Sequence, residues 1–459
     1  MASDGLSQTT ETDSRAWSVR RKVAWRLLPL IFVLYVVAYL DRANLSFARR
    51  QMMADLEFSN IVYGWGVGIF FVGYLLLEIP GALLVEHWSA RKWFTRILVT
   101  WGACSMGMAL VRTENQFYIA RFLLGLAEAG FFPGVIVYLT HWFPKRERAR
   151  ALAGLVFGVP ASLALGAYTS GQLLSLDWFG LSGWQWMFLF EGAPAIGLGV
   201  FVWLVLPDRP QHARWLAPAE RDWLLEQLAA ERREDAGVVP ASLKQALKTP
   251  TVWLLAFGIM AINTGGYALV FWLPMAIRGM LEVDGNSVAD KTVLMWTGIV
   301  YLCGVLGIWV SSRLSDWTGE RKWFCVGGVW LAAAGLALSV IPGQPWAIMF
   351  LWLCVAGFGA FFWIPPFWVL PTATLTASAA AVAVGVINMS ANLAGLFGSP
   401  VVGAMKDAGL DNSACLLFLA GCYAMGGGVI SLIGVARKPL EAAITRRKCL
   451  ANRPREHQS

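Results

Sequence analysis

Charge is scarce in this sequence. Asp, Glu, Lys and Arg make up 14% of the 459 residues, and 57% are hydrophobic. Soluble domains carry about 25% charged residues. A water-soluble globule has no interior large enough for so much apolar surface, so a bilayer is the natural solvent for most of the chain. Histidine is rarer still. His87, His141, His212 and His457 all lie away from the middle of any apolar run, which argues against a metal site and against a histidine proton relay. The seven cysteines (104, 303, 325, 354, 415, 422 and 449) are scattered and form no C-x-x-C pair. They read as small core side chains. No G-x-x-x-x-G-K-[ST] loop occurs, so ATP is not expected to drive this protein and no cofactor is expected. The start, "MASDGLSQTTETDSRAWS", is polar. It reads as a disordered segment without a cleavable leader.

What the sequence does have is apolar runs. A hydrocarbon core about 30 Å thick takes about 20 residues as helix. Twelve such runs are found, at 25–47, 60–84, 94–112, 116–141, 151–174, 185–206, 251–277, 292–311, 323–341, 346–369, 377–402 and 413–436. Most of the 37 Lys and Arg residues fall in alternate connecting segments. The opposite loops hold only Arg49, Arg50, Arg112, Arg278, Lys291 and Lys406. Basic residues stay inside, so both termini are expected in the cytoplasm of a multi-pass plasma (inner) membrane protein.

The tetrapeptide "RKWF" occurs twice, at 91–94 and 321–324, half a chain apart. The residues before it also align: "ALLVEHWSARKWF" (82–94) and "SRLSDWTGERKWF" (312–324). Each copy follows the second run of its half. Internal repeats of this kind mark transporters that hold substrate at mid-membrane between the halves. The expected fold is therefore an all-α membrane protein, twelve transmembrane helices in two six-helix bundles. Its parts are a disordered cytoplasmic N-terminus (1–22), an N-terminal bundle (23–206), a cytoplasmic central loop (207–249), a C-terminal bundle (250–437) and a cytoplasmic tail (438–459). Within the loop, 217–234 reads as an amphipathic helix.

The two loops resemble the G-x-x-x-D-R-x-G-x-R-R loop of the major facilitator superfamily. The second copy is the closer. The first has Ala82, His87 and Ser89 where Gly, Arg and Gly are usual. The resemblance implies that Glu86, Arg91 and Lys92, with Asp316, Gly319, Arg321 and Lys322, latch helix ends in one of two access states. Arg91 and Lys92 also serve as topology anchors.

Ionised residues within lipid need partners or a watery cavity. Those identified are Asp41 and Arg42 in the first run, Glu78 in the second, and Arg121 and Glu128 in the fourth; runs seven to twelve hold none. Asp41 and Arg121 each lie roughly 8 Å below the outer surface at 1.5 Å per residue, so the two are expected to pair. Glu128 lies two turns deeper than Arg121 on the same face. Tyr35, Tyr39 and Arg42 share a stripe, and Asp41 is rotated about 100° from it. Arg42 offers a planar fork suited to a carboxylate, and Glu128, held out of water, is the expected proton carrier. The bland readings are an interfacial Asp41–Arg42 pair, an Arg121 that merely braces, and a Glu78 in a structural helix-end contact. From the second half, Asn263, Thr264, Tyr267, Trp363, Asn388 and Asn392 are candidates to complete the pocket. The amides suit substrate hydroxyls or hold helices together. "WIPPFW" (363–368) should break its helix beside a cavity, and Trp368 suits the interface.

More narrowly, "YLDRANLSFA" (39–48), "RFLLGLAEAGFFPG" (121–134), "HWFPKRERARA" (141–151) and "LPDRPQHARWLAPAER" (206–221) resemble the anion:cation symporter family. The resemblance implies uptake of a small organic anion, such as a sugar acid, tartrate or an aromatic acid, with protons or sodium. It implies a substrate-binding Arg42, substrate contacts at Tyr39 and Tyr74, proton-linked Asp41 and Glu128, and an Arg121 that interacts with the acid of the first run. The expected partners are the anion and the lipid bilayer, with no nucleic acid, and the chain is expected to be a monomer. Two rivals stand beside import: a proton-coupled drug or metabolite exporter, and a non-transporting membrane sensor on the same fold. The exporter's G-P-x-x-G-G in the fifth run is absent from "GLVFGVPASLALG" (154–166).

Overall fold

The computed structural model describes residues 2–236, 247–282, 287–375 and 377–434. They form helices connected by short loops, and no strand occurs among them. In the first half, span 1 lies in the helix Ala2–Leu56, span 2 is Asn60–His87 and span 3 is Ala90–Gly107. Span 4 is Glu114–Glu128 continued by Phe131–Thr140, span 5 is Lys145–Leu173 and span 6 is Gly183–Val205. Helix Pro218–Ala236 follows. In the second half, span 7 is Pro250–Leu281, span 8 is Asp290–Thr318 and span 9 is Lys322–Leu338. Span 10 is Trp346–Phe362 with short pieces Ile364–Phe367 and Leu370–Thr374. Span 11 is Ala377–Leu393 with Gly395–Asp407, and span 12 is Asn412–Ser431.

Among the described residues, ten helices are long and apolar enough to cross a membrane. Spans 3 and 9 complete the twelve. They are shorter, and both begin at the repeated RKWF. The middle of the central loop (237–246) and the tail (438–459) lie outside the described residues.

Helix starts follow local chemistry. Ser59, Ser89, Thr113 and Asp411 cap spans 2, 3, 4 and 12, each accepting from a backbone N–H in the first turn. Ser182 and Gln185 form a reciprocal capping box at span 6. Span 4 breaks at Gly130, whose φ is +79°. A Cβ on Gly130 would sit 2.7 Å from Gly81 Cα, so spans 2 and 4 meet there backbone to backbone. The two prolines of "WIPPFW" break span 10 as expected.

One expectation is corrected. The segment 1–22 is read from its polarity as disordered, yet the helix of span 1 extends back to Ala2. Tertiary contacts support its second half. Val19 and Val23 are buried, Lys22 meets Glu220 at 2.7 Å and Arg20 meets Glu147 at 2.9 Å. Arg20 also lies over Trp223, and Arg26 over Trp215.

Large apolar side chains such as Leu76, Ile79, Leu204, Leu306 and Leu351 are exposed on the outside of the bundle. Lipid is their natural neighbour. The buried charged residues among those described are Asp41, Glu78, Arg121, Glu128 and Glu191, all in the first half.

The halves meet where span 2 packs on span 11 and span 5 on span 8. We call the end that carries the RKWF loops the basic face and the opposite end the far face. At the far face the halves are tied. Arg50 grips Asp290 with two hydrogen bonds of 2.6 and 2.7 Å. Asp407 accepts from the Asn60 side chain at 2.7 Å and from the Ile61 N–H at 2.8 Å. Arg49 lies 4.4 Å from the Trp272 ring centre and 5.1 Å from that of Tyr63. Among the described residues, no hydrogen bond or ion pair joins the halves at the basic face.

Candidate functional site

A cavity of about 220 Å³ lies between the halves. Tyr35, Tyr39, Arg42, Tyr74 and Glu128 line it from the first half, and Asn263, Tyr267, Trp363, Asn388 and Asn392 from the second. These residues are scattered along the sequence, and the fold brings them to one place.

Arg42 is the centre of the arrangement. Its guanidinium lies over the rings of Tyr39, Tyr74 and Phe70, at 5.2, 5.2 and 5.4 Å from their centres. Tyr35 packs against Tyr39 with ring centres 4.9 Å apart, so the i, i+4, i+7 stripe is realised. Arg42 Nη2 forms an ion pair with Glu128 Oε1. The pair is incomplete on both sides. Arg42 Nε and Glu128 Oε2 are buried and have no partner. The cation therefore has a donor to spare, and the acid an acceptor, beside an open volume.

Asp41 is elsewhere. Its helical phase turns it from the cavity toward span 3, where Trp101 Nε1 donates at 2.5 Å. Ser105, one turn further along span 3, donates to the other oxygen, as does Asn44 at 3.2 Å. The expected Asp41–Arg121 ion pair is not made. Arg121 donates from Nε to the Gly66 carbonyl at 2.9 Å and lies 4.9 Å from the Phe70 ring centre. Its Nη2 has no partner. Similar depth was the sequence argument for the pair. Depth does not fix which neighbour a side chain faces, and each residue finds closer partners.

Glu78 departs from the helix-end contact expected of it. It is buried, and its Oε1 accepts from Asn388 Nδ2 at 2.5 Å and from Asn392 Nδ2 at 2.8 Å. This joins span 2 to span 11 across the two halves. Both asparagines thus line the cavity with one end of the amide already engaged.

The sequence reading missed Glu191 in span 6. It is buried, accepts from Ser170 at 2.8 Å, and has an unpartnered Oε2. A lone acid within "FLFEGAPAIG" was the available signal. It also missed Arg49, which counted as a loop charge but is sandwiched between aromatic rings of both halves.

The expected latch residues bond within their own halves. Glu86 meets His141 at 2.8 Å. Asp208 accepts from Ser89 Oγ and from the Arg91 N–H, each at 2.8 Å. Arg91 lies over Trp203, and Lys92 over Trp88. In the second copy Asp316 pairs with Arg321 at 2.8 Å, and Gly319 ends span 8 with φ +72°. Lys322 lies over Trp323. In this conformation the loops make no latch between halves among the described residues.

Two six-helix halves around a central, partly polar cavity, wrapped in an apolar surface, define a membrane carrier. The Major Facilitator Superfamily model matches residues 31–399, and the chain belongs to that superfamily. It is a multi-pass membrane transporter and not an enzyme. An Agrobacterium vitis protein named "Putative tartrate transporter" is 40% identical over 93% of this chain and 93% of its own length. The "Quinolone resistance transporter" of Acinetobacter baumannii is 36% identical over 88% of this chain and 92% of its own. Among solved structures, the inward open conformation of the xylose transporter XylE from E. coli superposes with a TM-score of 0.69. It is 15% identical and covers 91% of this chain and 99% of its own. That likeness concerns the fold.

Proposed function

We propose that the protein imports a small organic anion together with a proton, by alternating access, across the inner membrane with both termini in the cytoplasm. The anion is a sugar acid, a hydroxy-dicarboxylate or an aromatic carboxylate. One observation carries the reading: a caged guanidinium with a spare donor, beside an incompletely paired acid, in the cavity between the halves. A substrate carboxylate meets the Arg42 fork. A proton on Glu128 removes the charge that competes for Arg42. Binding of the anion and uptake of the proton therefore support each other. Tyr39 and Tyr74 flank the bound group, and Tyr35 supports Tyr39. Asp41, next to Arg42 but held by span 3, and Arg121, against the shared Phe70 ring, link this site to the helices behind it. Sodium suits the same carboxylates as protons, and a pH jump without sodium separates the two.

The basic face is then cytoplasmic, and the far-face ties close the outside. The molecule is inward-facing, and Glu86, Arg91, Lys92, Asp316, Gly319, Arg321 and Lys322 form their latch in the opposite state. The Agrobacterium vitis relative supports a carboxylate substrate. The Acinetobacter baumannii relative favours a second reading, proton-driven export of a drug. Uptake of labelled tartrate into right-side-out vesicles, against efflux of norfloxacin, decides between them. Arg42→Ala should abolish tartrate uptake while the protein still inserts and elutes as a single species. Uptake at the wild-type rate by that variant overturns the binding role.

A further inference from the structure

The second-half wall of the cavity carries a pattern that Arg42 does not explain. Asn388 and Asn392 both give amide N–H groups to one oxygen of Glu78. An ionised carboxylate only accepts hydrogen bonds, so it fixes which way each amide points. With nitrogen turned to Glu78, the carbonyl oxygen faces away from it. The Asn392 carbonyl is met by the Tyr267 hydroxyl at 3.5 Å. That leaves the Asn388 carbonyl for whatever fills the cavity. Asn263 repeats the pattern, giving its N–H to the Ala391 carbonyl at 3.3 Å. The same wall also carries a donor that is buried without a partner. Trp363 is 4% exposed, and its indole N–H has no partner. A buried donor without a partner is costly.

A hydroxyl group answers both needs, since it accepts from an indole N–H and donates to an amide carbonyl. A methylene answers neither. We propose that Glu78 is a positioning residue that holds Asn388 and Asn392 with their N–H groups turned from the substrate, so that the wall receives hydroxyl groups and the protein selects hydroxylated carboxylates over their deoxygenated counterparts. The proposal rests on Arg42 as the dock for the carboxylate. Glu78 itself does not line the cavity and acts through the amides.

The experiment compares tartrate with succinate, which differ only in two hydroxyl groups. Binding of each to purified protein in detergent is measured by calorimetry at one pH. Wild type should prefer tartrate by at least about tenfold, since a site built for a hydroxyl rejects the analogue that lacks it. Glu78→Gln carries an N–H of its own and frees the amides to turn. It should bring the ratio close to one, chiefly by weakening tartrate, and Glu78→Asp should restore part of it. Asn388→Ala should lower the ratio similarly, and Glu78→Gln with Asn388→Ala should lower it little further, because both act through one amide. The proposal is overturned if wild type binds the two acids equally or binds neither. It is also overturned if Glu78→Gln leaves the ratio intact or weakens both acids alike. Arg42→Ala separates the two ideas. If it leaves tartrate affinity unchanged, the carboxylate dock is wrong, whereas a ratio that answers only to Glu78 concerns the wall alone. Should Glu78→Gln fail to fold, the Asn388→Ala and Glu78→Asp ratios still decide.

Discussion

At the scale of single residues, the site depends on an unsatisfied pair. Arg42 and Glu128 neutralise each other but leave Nε and Oε2 without partners. Glu128→Gln should therefore abolish pH-driven accumulation, so that internal substrate only equilibrates with external, while exchange of labelled for unlabelled substrate persists. Measuring both in the same proteoliposomes tests this, and accumulation along a pH gradient by the variant contradicts the proton role. Arg42→Lys keeps the charge but loses the planar fork, and substrate affinity should fall by about tenfold or more. Both residues were legible as charges in a run where lipid makes charge expensive. Their pairing was not. Helical phase says which face a residue occupies, and correctly set Asp41 apart from Arg42. It does not say which helix lies opposite. Glu78 finds its partners some 310 positions away, a distance that no local pattern bridges.

At the scale of elements, the interruptions carry information. Span 4 is interrupted at Gly130, two residues after Glu128, where the first of its two helices ends. The left-handed φ and the 2.7 Å approach to Gly81 leave no room for a side chain. Gly130→Ala should destabilise the protein by about 1–2 kcal/mol from the backbone term alone, seen as a lower melting temperature in detergent. The end of span 7 shows a different device. Burial pushes the Glu282 carboxyl up, but the Val288 N–H and the Arg278 guanidinium outweigh it and hold the group below the usual carboxylate range. A depressed value means that its stabilising contribution is present above the ordinary carboxylate pKa and is lost only as pH falls through the lower folded value. Between pH 5 and 8 Glu282 stays ionised. Glu282→Gln should leave the pH profile of transport unchanged, and a shifted profile would place the proton step at the far face. Most spans were legible to within a few residues because length and apolarity are set by the bilayer. The helical N-terminus was not, because its support comes from Glu147, Glu220 and Trp223, distant in sequence.

At the scale of the whole molecule, the two halves are held together at one end. The repeated RKWF loops revealed the two-fold architecture, since each begins a corresponding span. The conformation lay beyond the sequence, because the same residues must serve both access states. Asn60→Cys with Asp407→Cys places two thiols where the far-face hydrogen bonds now lie. Oxidation should stop uptake of external substrate, and reduction should restore it. Uptake that continues through the oxidised protein would mean that the far face need not open. The self-neutralising Arg42–Glu128 pair has a further consequence for leakage. An empty carrier whose two central charges cancel has little electrical reason to pick up a lone hydrogen ion, because doing so strands a cation in a low-dielectric chamber. Vesicles containing the protein but no anion should therefore dissipate an imposed acid gradient no faster than vesicles without it.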